Sequence, residues 1–159
     1  SEPKYIKALA NSIKKKVGEI SWKPDLIIAS YHGIPKSYFE KGDPYQCYCQ
    51  KTTRLIKEHF KEIDIKTTFQ SRFGPQEWLK PYTDKTFEKL PSEGFKNILV
   101  ICPGFASDCV ETLEEISIQG KDSFLKSGGK NFELIPCLNT NDDHIELFET
   151  LIRRYIIKK

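Results

Sequence analysis

The stretch DLIIASYHGIP, residues 25–35, joins a short apolar run to a histidine and a turn. Residues 26–30 have the length and composition of a buried strand, while Gly33 and Pro35 are turn formers. His32 therefore follows the predicted first strand, at the point where the backbone turns. A histidine in this place either hydrogen-bonds to the backbone of the turn or acts as a metal ligand or proton acceptor near neutral pH.

Three more apolar segments have strand length, and amphipathic segments lie between the four strands. The predicted strands are residues 26–30, 65–70, 97–102 and 132–137. The alternation of strands and helices from end to end predicts an α/β fold, with a three-layer, doubly wound sheet of about four parallel strands. This architecture is Rossmann-like but lacks the GxGxxG fingerprint, and we expect residues 1–159 to form a single domain.

A segment rich in acids follows the third predicted strand. Residues 107–125, SDCVETLEEISIQGKDSFL, predict a helix with Ser107 and Asp108 as candidate N-caps. Asp108, Glu111 and Glu115 are spaced by three and four residues, which places them on one helix face. Helix capping accounts for an acid at Asp108, but it does not account for the two further acids, Glu111 and Glu115. If the stripe faces a cleft, one acid would contact a cation and the others could pass protons to solvent.

Composition and motifs exclude several classes of function. The net charge of +3 comes from interspersed Lys and Glu, so no single-sign face typical of nucleic-acid binders is expected. No apolar run reaches the length of about 20 residues that a spanning helix needs, and a cytoplasmic location is expected. The odd number of cysteines, five, favours reduced thiols, and the C-x-C of Cys47 and Cys49 lacks zinc-site spacing. No P-loop and no G-x-S-x-G motif is present.

Three separated motifs carry a resemblance to a known family. Residues 30–52 (SYHGIPKSYFEKGDPYQCYCQKT), 69–84 (FQSRFGPQEWLKPYTD) and 100–116 (VICPGFASDCVETLEEI) resemble the C-terminal half of bacterial ferrochelatase. The resemblance extends over about residues 5–157. It implies a chelatase-like α/β fold and a lyase of haem biosynthesis that inserts ferrous iron into protoporphyrin IX to give protohaem.

The resemblance also implies roles for individual residues. His32 matches the metal-site histidine, and Glu111 matches the carboxylate opposite it, so both are expected to be catalytic and to contact the metal. Asp108 and Glu115 match further acids of a proton or metal path along the same helix. The residues expected at the porphyrin cleft are Ser30, Tyr31, Gln70, Trp78 and Phe105.

Ferrochelatases have two similar halves with the porphyrin between them, so this chain is expected to be the metal-site half and to be inactive alone. Its expected partners are protoporphyrin IX, ferrous iron as substrate, and the missing N-terminal half. No permanently bound cofactor is expected. No iron–sulfur cluster is expected either, because the sequence ends directly after its last helix. Some relatives attach to membranes, but no obvious anchor is seen here.

Two other functions remain open at the level of sequence. The chain could be a non-catalytic metal- or tetrapyrrole-binding domain that uses His32 and Glu111 as ligands. It could also be a chelatase for another tetrapyrrole or metal, which would need a more polar cleft for a carboxylate-rich ring. A purely structural α/β module leaves the acid stripe unexplained.

Overall fold

A sheet of four parallel strands lies between two layers of helices in the computed structural model, which describes residues 2–156. The strands are β1 (Leu26–His32), β2 (Asp64–Gln70), β3 (Asn97–Ile101) and β4 (Asn131–Leu134). The helices are α1 (Pro3–Glu19), α2 (Lys36–Glu40), α3 (Tyr45–Lys57), α4 (Thr83–Lys89), α5 (Val110–Leu113), α6 (Lys121–Lys126) and α7 (Asp142–Ile156). A 3₁₀ turn (Leu90–Glu93) follows α4, and a π-helix (Glu115–Gly120) joins α5 to α6.

The strand order β2-β1-β3-β4 confirms the predicted doubly wound parallel sheet. The chain leaves β1 toward β2 on one side and reaches β3 on the other side. The order of the strands therefore reverses between β1 and β3, which is where open α/β sheets bind ligands. β1 is apolar and buried on both faces, as a central parallel strand should be.

Three strand ends differ from the prediction, of which the smallest difference is at β3, which stops at Ile101 and not at Cys102. β1 continues to His32, because His32 pairs with Gln70 of β2 in register, so the histidine ends the strand instead of following it. β4 stops at Leu134, three residues before the predicted end at Cys137, since its pairing with β3 ends at Val100.

The first helical layer is regular and consists of α1, α3 and α7. α1 buries Ile6, Leu9 and Ile13 against the sheet, as its spacing predicts, and Pro3 occupies its first turn, where the ring replaces an N–H that has no partner. α3 adds Ile56 to the same core. α7 packs on α1.

The second layer is irregular and consists of α4 to α6. The region after β2, which contains Pro75 and Pro81, forms a loop that leads into the short helix α4. The single helix predicted for residues 107–125 is wrong in detail, because a π-helix separates α5 from α6. This wide turn sets Gly120 against the ring of Phe87, where an added Cβ would lie 2.8 Å from Cε2. No helix of residues 2–156 is both long enough and apolar enough to span a lipid bilayer.

Candidate functional site at the carboxyl ends of the strands

The candidate site lies where β1, β2 and β3 end. His32 ends β1, Gln70 ends β2, and the loop after β3 leads into α5 with Glu111. Because the carboxyl ends of parallel strands meet at one edge, these residues share the rim at which the strand order reverses. We call this edge the strand-end rim.

His32 is held in one orientation by its backbone surroundings. Its Nδ1 lies 2.7 Å from the carbonyl oxygen of Gly33, which can only accept, so Nδ1 carries the proton and Nε2 keeps its lone pair. The hydroxyl of Tyr45 donates to the carbonyl of His32 at 2.9 Å. The ring of Phe105 lies 6.3 Å from the imidazole, centroid to centroid. The half-buried imidazole therefore presents Nε2 as its free nitrogen.

Gln70 connects the sheet to the acid-bearing helix. Its side chain is 2% exposed. Its Oε1 accepts a hydrogen bond from the Ser30 hydroxyl at 2.7 Å, and its Nε2 donates to the carbonyl of Glu111 at 2.6 Å. The Ser30 and Thr83 hydroxyl oxygens are 2.8 Å apart, and the Thr83 hydroxyl donates to Thr68. This buried network fixes the start of α5 relative to β1 and β2.

Glu111 lies at the same rim as His32. Its backbone is bonded to Gln70, which is the register partner of His32 in the neighbouring strand. The pKa of the Glu111 carboxyl is lowered by its own backbone N–H, by the Cys109 side chain and, when the imidazole is protonated, by His32. Glu111 is therefore ionised at neutral pH, and its backbone lies at the same rim as His32.

The carboxylate of Asp108 contacts the loop after β4. Asp108 precedes α5, whose N-cap is Cys109 instead of the predicted Ser107 or Asp108. Its carboxylate accepts hydrogen bonds from the Asn139 amide at 2.7 Å and from the Cys137 N–H at 3.2 Å. Although burial raises the pKa of Asp108, these hydrogen bonds outweigh it, and the net pKa is lowered.

The carboxylate of Glu115 is hydrogen-bonded to the loop after β2. Both of its carboxylate oxygens accept hydrogen bonds from Ser71, one from the N–H at 2.7 Å and one from the hydroxyl at 2.6 Å. Ser71 has φ 62°, a left-handed conformation that is strained for serine, and these two bonds help to hold it. The prediction of one continuous acid stripe is therefore wrong: Asp108 and Glu115 serve neighbouring loops, and Glu111 alone accompanies His32.

Of the aromatic residues predicted at the cleft, Trp78 is buried and lies beside the exposed Phe73. Trp78 is 6% exposed; its Nε1 donates to the carbonyl of Phe73 at 3.0 Å, and its ring packs on Gly33. The Phe73 ring is exposed and lies 5.1 Å from Trp78, centroid to centroid. Trp78, Phe73, Gln70 and Glu115 contribute to the lining of a cavity of about 720 Å³, large enough for a small ligand. His32 and Glu111 are not among its lining residues.

Ser30 and Tyr31 do not reach this surface. Ser30 is completely buried in the Gln70 network, and Tyr31 is 3% exposed on the opposite face of the sheet. The hydroxyl of Tyr31 lies 3.0 Å from that of Thr53 on α3. Successive side chains of a strand alternate between faces, so the two cannot share one cleft. The expectation that Ser30 and Tyr31 line the cleft directly is corrected to a supporting role for Ser30 and a core role for Tyr31.

Sequence reasoning missed three residues of this rim. Tyr45 orients the His32 carbonyl, Ser71 binds Glu115, and Phe73 covers Trp78. Tyr45 and Phe73 lie inside the motifs that carried the resemblance, so aromatic side chains in those loops were the available signal. The positive φ of Ser71 has no signature in the sequence. Among residues 2–156, no group of three or more His, Cys, Asp or Glu side chains is arranged to hold a metal ion.

The fold and the rim define a class: a parallel α/β protein that presents an imidazole and a carboxylate where its strand order reverses. The chain belongs to the ferrochelatase family, since residues 1–156 match the family model described as Ferrochelatase.

Individual relatives agree with this assignment. The chain is 56% identical over 152 residues to a ferrochelatase of Rhizobium etli CIAT 652, covering 94% of the chain and 44% of that protein. It is 55% identical over 155 residues to a ferrochelatase of Rhizobium meliloti 1021, with 96% and 46% covered. A ferrochelatase of Brucella ovis is 50% identical over 159 residues, with 99% and 45% covered. The chain thus spans less than half the length of these curated relatives.

Proposed function

We propose that this chain is the metal-site half of a ferrochelatase, a lyase of haem biosynthesis that inserts ferrous iron into protoporphyrin IX. The reaction joins Fe²⁺ to the four ring nitrogens and releases the two pyrrole protons, giving protohaem. Family membership supports the proposal, and the observation that carries it is the presence of His32 and Glu111 at one rim.

The two side chains suit the chemistry that metallation requires. A ferrous ion must lose water and meet a flat apolar ring, and two protons must leave that ring. Nε2 of His32 has a free lone pair because Nδ1 donates to Gly33, so it can accept a proton or bind the ion. Glu111 is ionised at neutral pH, so its carboxylate can also accept a proton or bind the ion. The remaining ligands of the incoming ion are the ring nitrogens of the substrate.

The aromatic side chains would supply the apolar wall. Phe105 lies beside His32, and Phe73 packs against Trp78 at a tilted angle in the lining of the 720 Å³ cavity. Rigid rings at a cleft of this kind can bend a macrocycle out of plane and expose its nitrogen lone pairs to the metal. Enclosing the ring requires a second wall, for which we propose the N-terminal half found in full-length relatives. The chain alone should therefore show little or no turnover.

A hybrid enzyme tests this function. The ferrochelatase of Rhizobium meliloti, with its matching segment replaced by this chain, is assayed anaerobically for protohaem formation from Fe²⁺ and protoporphyrin IX. We expect turnover by the hybrid and at least a hundredfold lower kcat for His32→Ala and for Glu111→Gln, since each removes a proton-transfer or metal-binding group.

Matched control variants make the result specific. His59→Ala and Glu114→Gln change an exposed histidine that follows α3 and an exposed glutamate that follows α5, and both should leave turnover within twofold. A hybrid that folds but makes no protohaem, or one that keeps its turnover after His32→Ala, contradicts the proposal. A tight 1:1 complex of the isolated chain with haem, without turnover by the hybrid, would instead favour a binding domain.

Two finer expectations stay predictions. A cytoplasmic location is tested by fractionating cells that express the protein. The absence of an iron–sulfur cluster is tested by the visible absorption spectrum of anaerobically purified protein free of tetrapyrrole, in which a broad sulfur-to-iron charge-transfer absorption would contradict it.

A further inference from the structure

β2 is an edge strand, and part of its outer edge is open. The strand order leaves β2 paired on one side only, with β1. On the outer side, the N–H of Phe69 donates to the carbonyl of Pro81 at 2.9 Å, and the N–H of Ile65 donates to the carboxylate of the preceding residue at 2.9 Å. Because backbone groups alternate in direction along a strand, Thr67 also turns its N–H and C=O outward. Within the part of the chain that the structure describes, no group outside the sheet bonds to the backbone of Thr67.

A groove of about 670 Å³ runs along this open edge, between α3 and α4. Residues 65–68 of β2 form its floor. Arg54 and Lys57 of α3 line one wall, and Lys85 and Lys89 of α4 line the other. The four floor residues extend over about 13 Å, since a parallel strand rises by about 3.3 Å per residue. The groove, which we call the β2 edge groove, therefore has the length and position of one short added strand.

The β2 edge groove is basic. Five of its 14 lining residues are Lys or Arg, and only Glu93 is acidic. The four basic side chains of the two walls are between 51% and 73% exposed, and each forms an ion pair with a carboxylate of its own surroundings. Such exposed pairs are weak, because water screens both charges and the long side chains lose conformational freedom. The wall cations can therefore also contact the carboxylates of an incoming chain.

We propose that the β2 edge groove binds an acidic, extended segment of a separate partner protein as a fifth strand of the sheet. The added backbone would supply an acceptor for the outward N–H of Thr67 and a donor for its C=O, as in other cases of strand addition. Side chains of a strand alternate between its two faces, so acids on both faces would meet the basic walls of α3 and α4. Charged side chains at a sheet edge prevent unspecific pairing. Here the same charges would select an acidic strand against neutral or basic ones.

Backbone chemistry and charge disfavour two other occupants. A phosphodiester backbone offers acceptors but no N–H donor, so a nucleic acid would leave the C=O of Thr67 without a partner. None of the described residues that line the groove is aromatic, so bases would find no side chain on which to stack. A second copy of this chain, paired edge to edge through β2, would bring its own lysines and arginine against the same set of cations.

Peptide binding measures the docking directly. The probe is fluorescein-labelled Val-Glu-Glu-Val-Glu-Glu-Val with both ends blocked, which carries two glutamates on each face when extended. It is titrated with the chain and followed by fluorescence anisotropy. Lys89→Glu should weaken binding at least tenfold, because it turns an attraction into a repulsion. Lys126→Glu on α6 should leave Kd within twofold. It is a matched control, since both lysines are about equally exposed, at 73% and 75%, and each pairs at 2.7 Å with a carboxylate four residues away.

Strand addition is distinguished from plain charge attraction with wild-type protein and modified peptides. Alternate amides of an added strand face β2, and the others face solvent. N-methylation of one alternate set of the peptide amides should therefore weaken binding at least tenfold, and N-methylation of the other set should leave it within threefold. On the protein, the amide of Thr67 should exchange at least tenfold more slowly when the peptide is bound.

Three outcomes would overturn the inference. Equal binding of the two N-methylated peptides would show that charge alone attracts them. Tighter binding of an oligothymidylate of equal charge would assign the groove to nucleic acid. A hybrid with the Rhizobium meliloti ferrochelatase that makes protohaem but does not bind the peptide would show that the N-terminal half already fills the groove. Peptide binding by the chain, together with a hybrid that folds without turnover, supports the docking and refutes only the proposed function.

Discussion

The two helical layers that cover the sheet differ in regularity. On one face, α1, α3 and α7 contain 17, 13 and 15 residues in unbroken α-helix. On the other face, α4, α5 and α6 contain 7, 4 and 6 residues, interrupted by the 3₁₀ turn and the π-helix. The strand-end rim takes Glu111 from the irregular layer. Short helices leave backbone groups free for side chains to bind, as Gln70 binds the Glu111 carbonyl.

The difference indicates that the regular layer mainly stabilises the fold, whereas the irregular layer also contributes residues to the candidate site. The regular layer buries long helical faces and supplies most of the apolar core on its side. The irregular layer combines an apolar core with a buried hydrogen-bond network that ends at the site. A π-helix is often found at functional sites because the wide turn redirects side chains.

The largest expected effect compares two neighbours in β1. Ile27 faces the regular layer and Ile28 the irregular layer, and both are fully buried. Replacement of either by alanine should lower the free energy of unfolding by about 2–5 kcal/mol, with Ile27→Ala near the upper end. Each substitution leaves a cavity in the core. The long helices over Ile27 cannot move to fill it, whereas the short helices over Ile28 can partly do so. Urea unfolding of the two variants measures both values, and a larger loss for Ile28→Ala would contradict the division.

An intermediate effect is expected at Gln70. Gln70→Leu leaves the Ser30 hydroxyl and the Glu111 carbonyl without their partner and should lower the free energy of unfolding by about 1–3 kcal/mol. The same change at the exposed Gln76 in the following loop should have almost no effect. In the hybrid enzyme, Gln70→Leu should lower kcat as well, because Glu111 loses its anchor. Equal stability of the two variants would show that the network does not hold the rim.

The smallest effect concerns Asp108 and pH. Its pKa is lowered in the folded state from an ordinary value of 3.8, so its stabilising contribution is present above that value and is lost as pH falls through the lower folded pKa. Asp108→Asn should lower the free energy of unfolding at pH 7 by no more than about 1 kcal/mol, since the carboxylate is partly exposed and screened. The gap between wild type and variant should narrow as the pH falls below 3.8.

A control for this pH dependence is Asp122→Asn, which removes an exposed carboxylate paired only with Lys126 on the same helix. Thermal unfolding from pH 7 to pH 3 compares both variants with the wild type. A stability gap for Asp108→Asn that widens as the pH falls would have the wrong sign.

The sheet could be predicted from the sequence because its signals are local. The apolar runs of the four strands and the regular spacing of Ile6, Leu9 and Ile13 need only a short window to be seen. The expectation that His32 and Glu111 belong to one site also came from the sequence, because both residues lie in the three motifs that carry the family resemblance.

The arrangement of the acids could not be predicted in the same way. The π-helix depends on the packing of Gly120 against Phe87, which are 33 positions apart, and Glu115 turns toward a serine whose positive φ is set by the loop. Spacing alone assumed a straight helix through residues 107–125. The placement of Tyr31 was missed for a related reason, because strand alternation puts it on the face opposite Ser30.

The position of β1 in the middle of the sheet has a consequence for the order of assembly. β1 precedes both of its neighbours in the chain, and it pairs with residues 64–70 on one side and with residues 97–101 on the other. During synthesis, the strand that ends in His32 must wait for nearly seventy further residues before both of its edges are satisfied. His32 is thus made before either strand that flanks β1, and it reaches its permanent surroundings only after β3 has been made, which ties maturation of the strand-end rim to completion of the sheet.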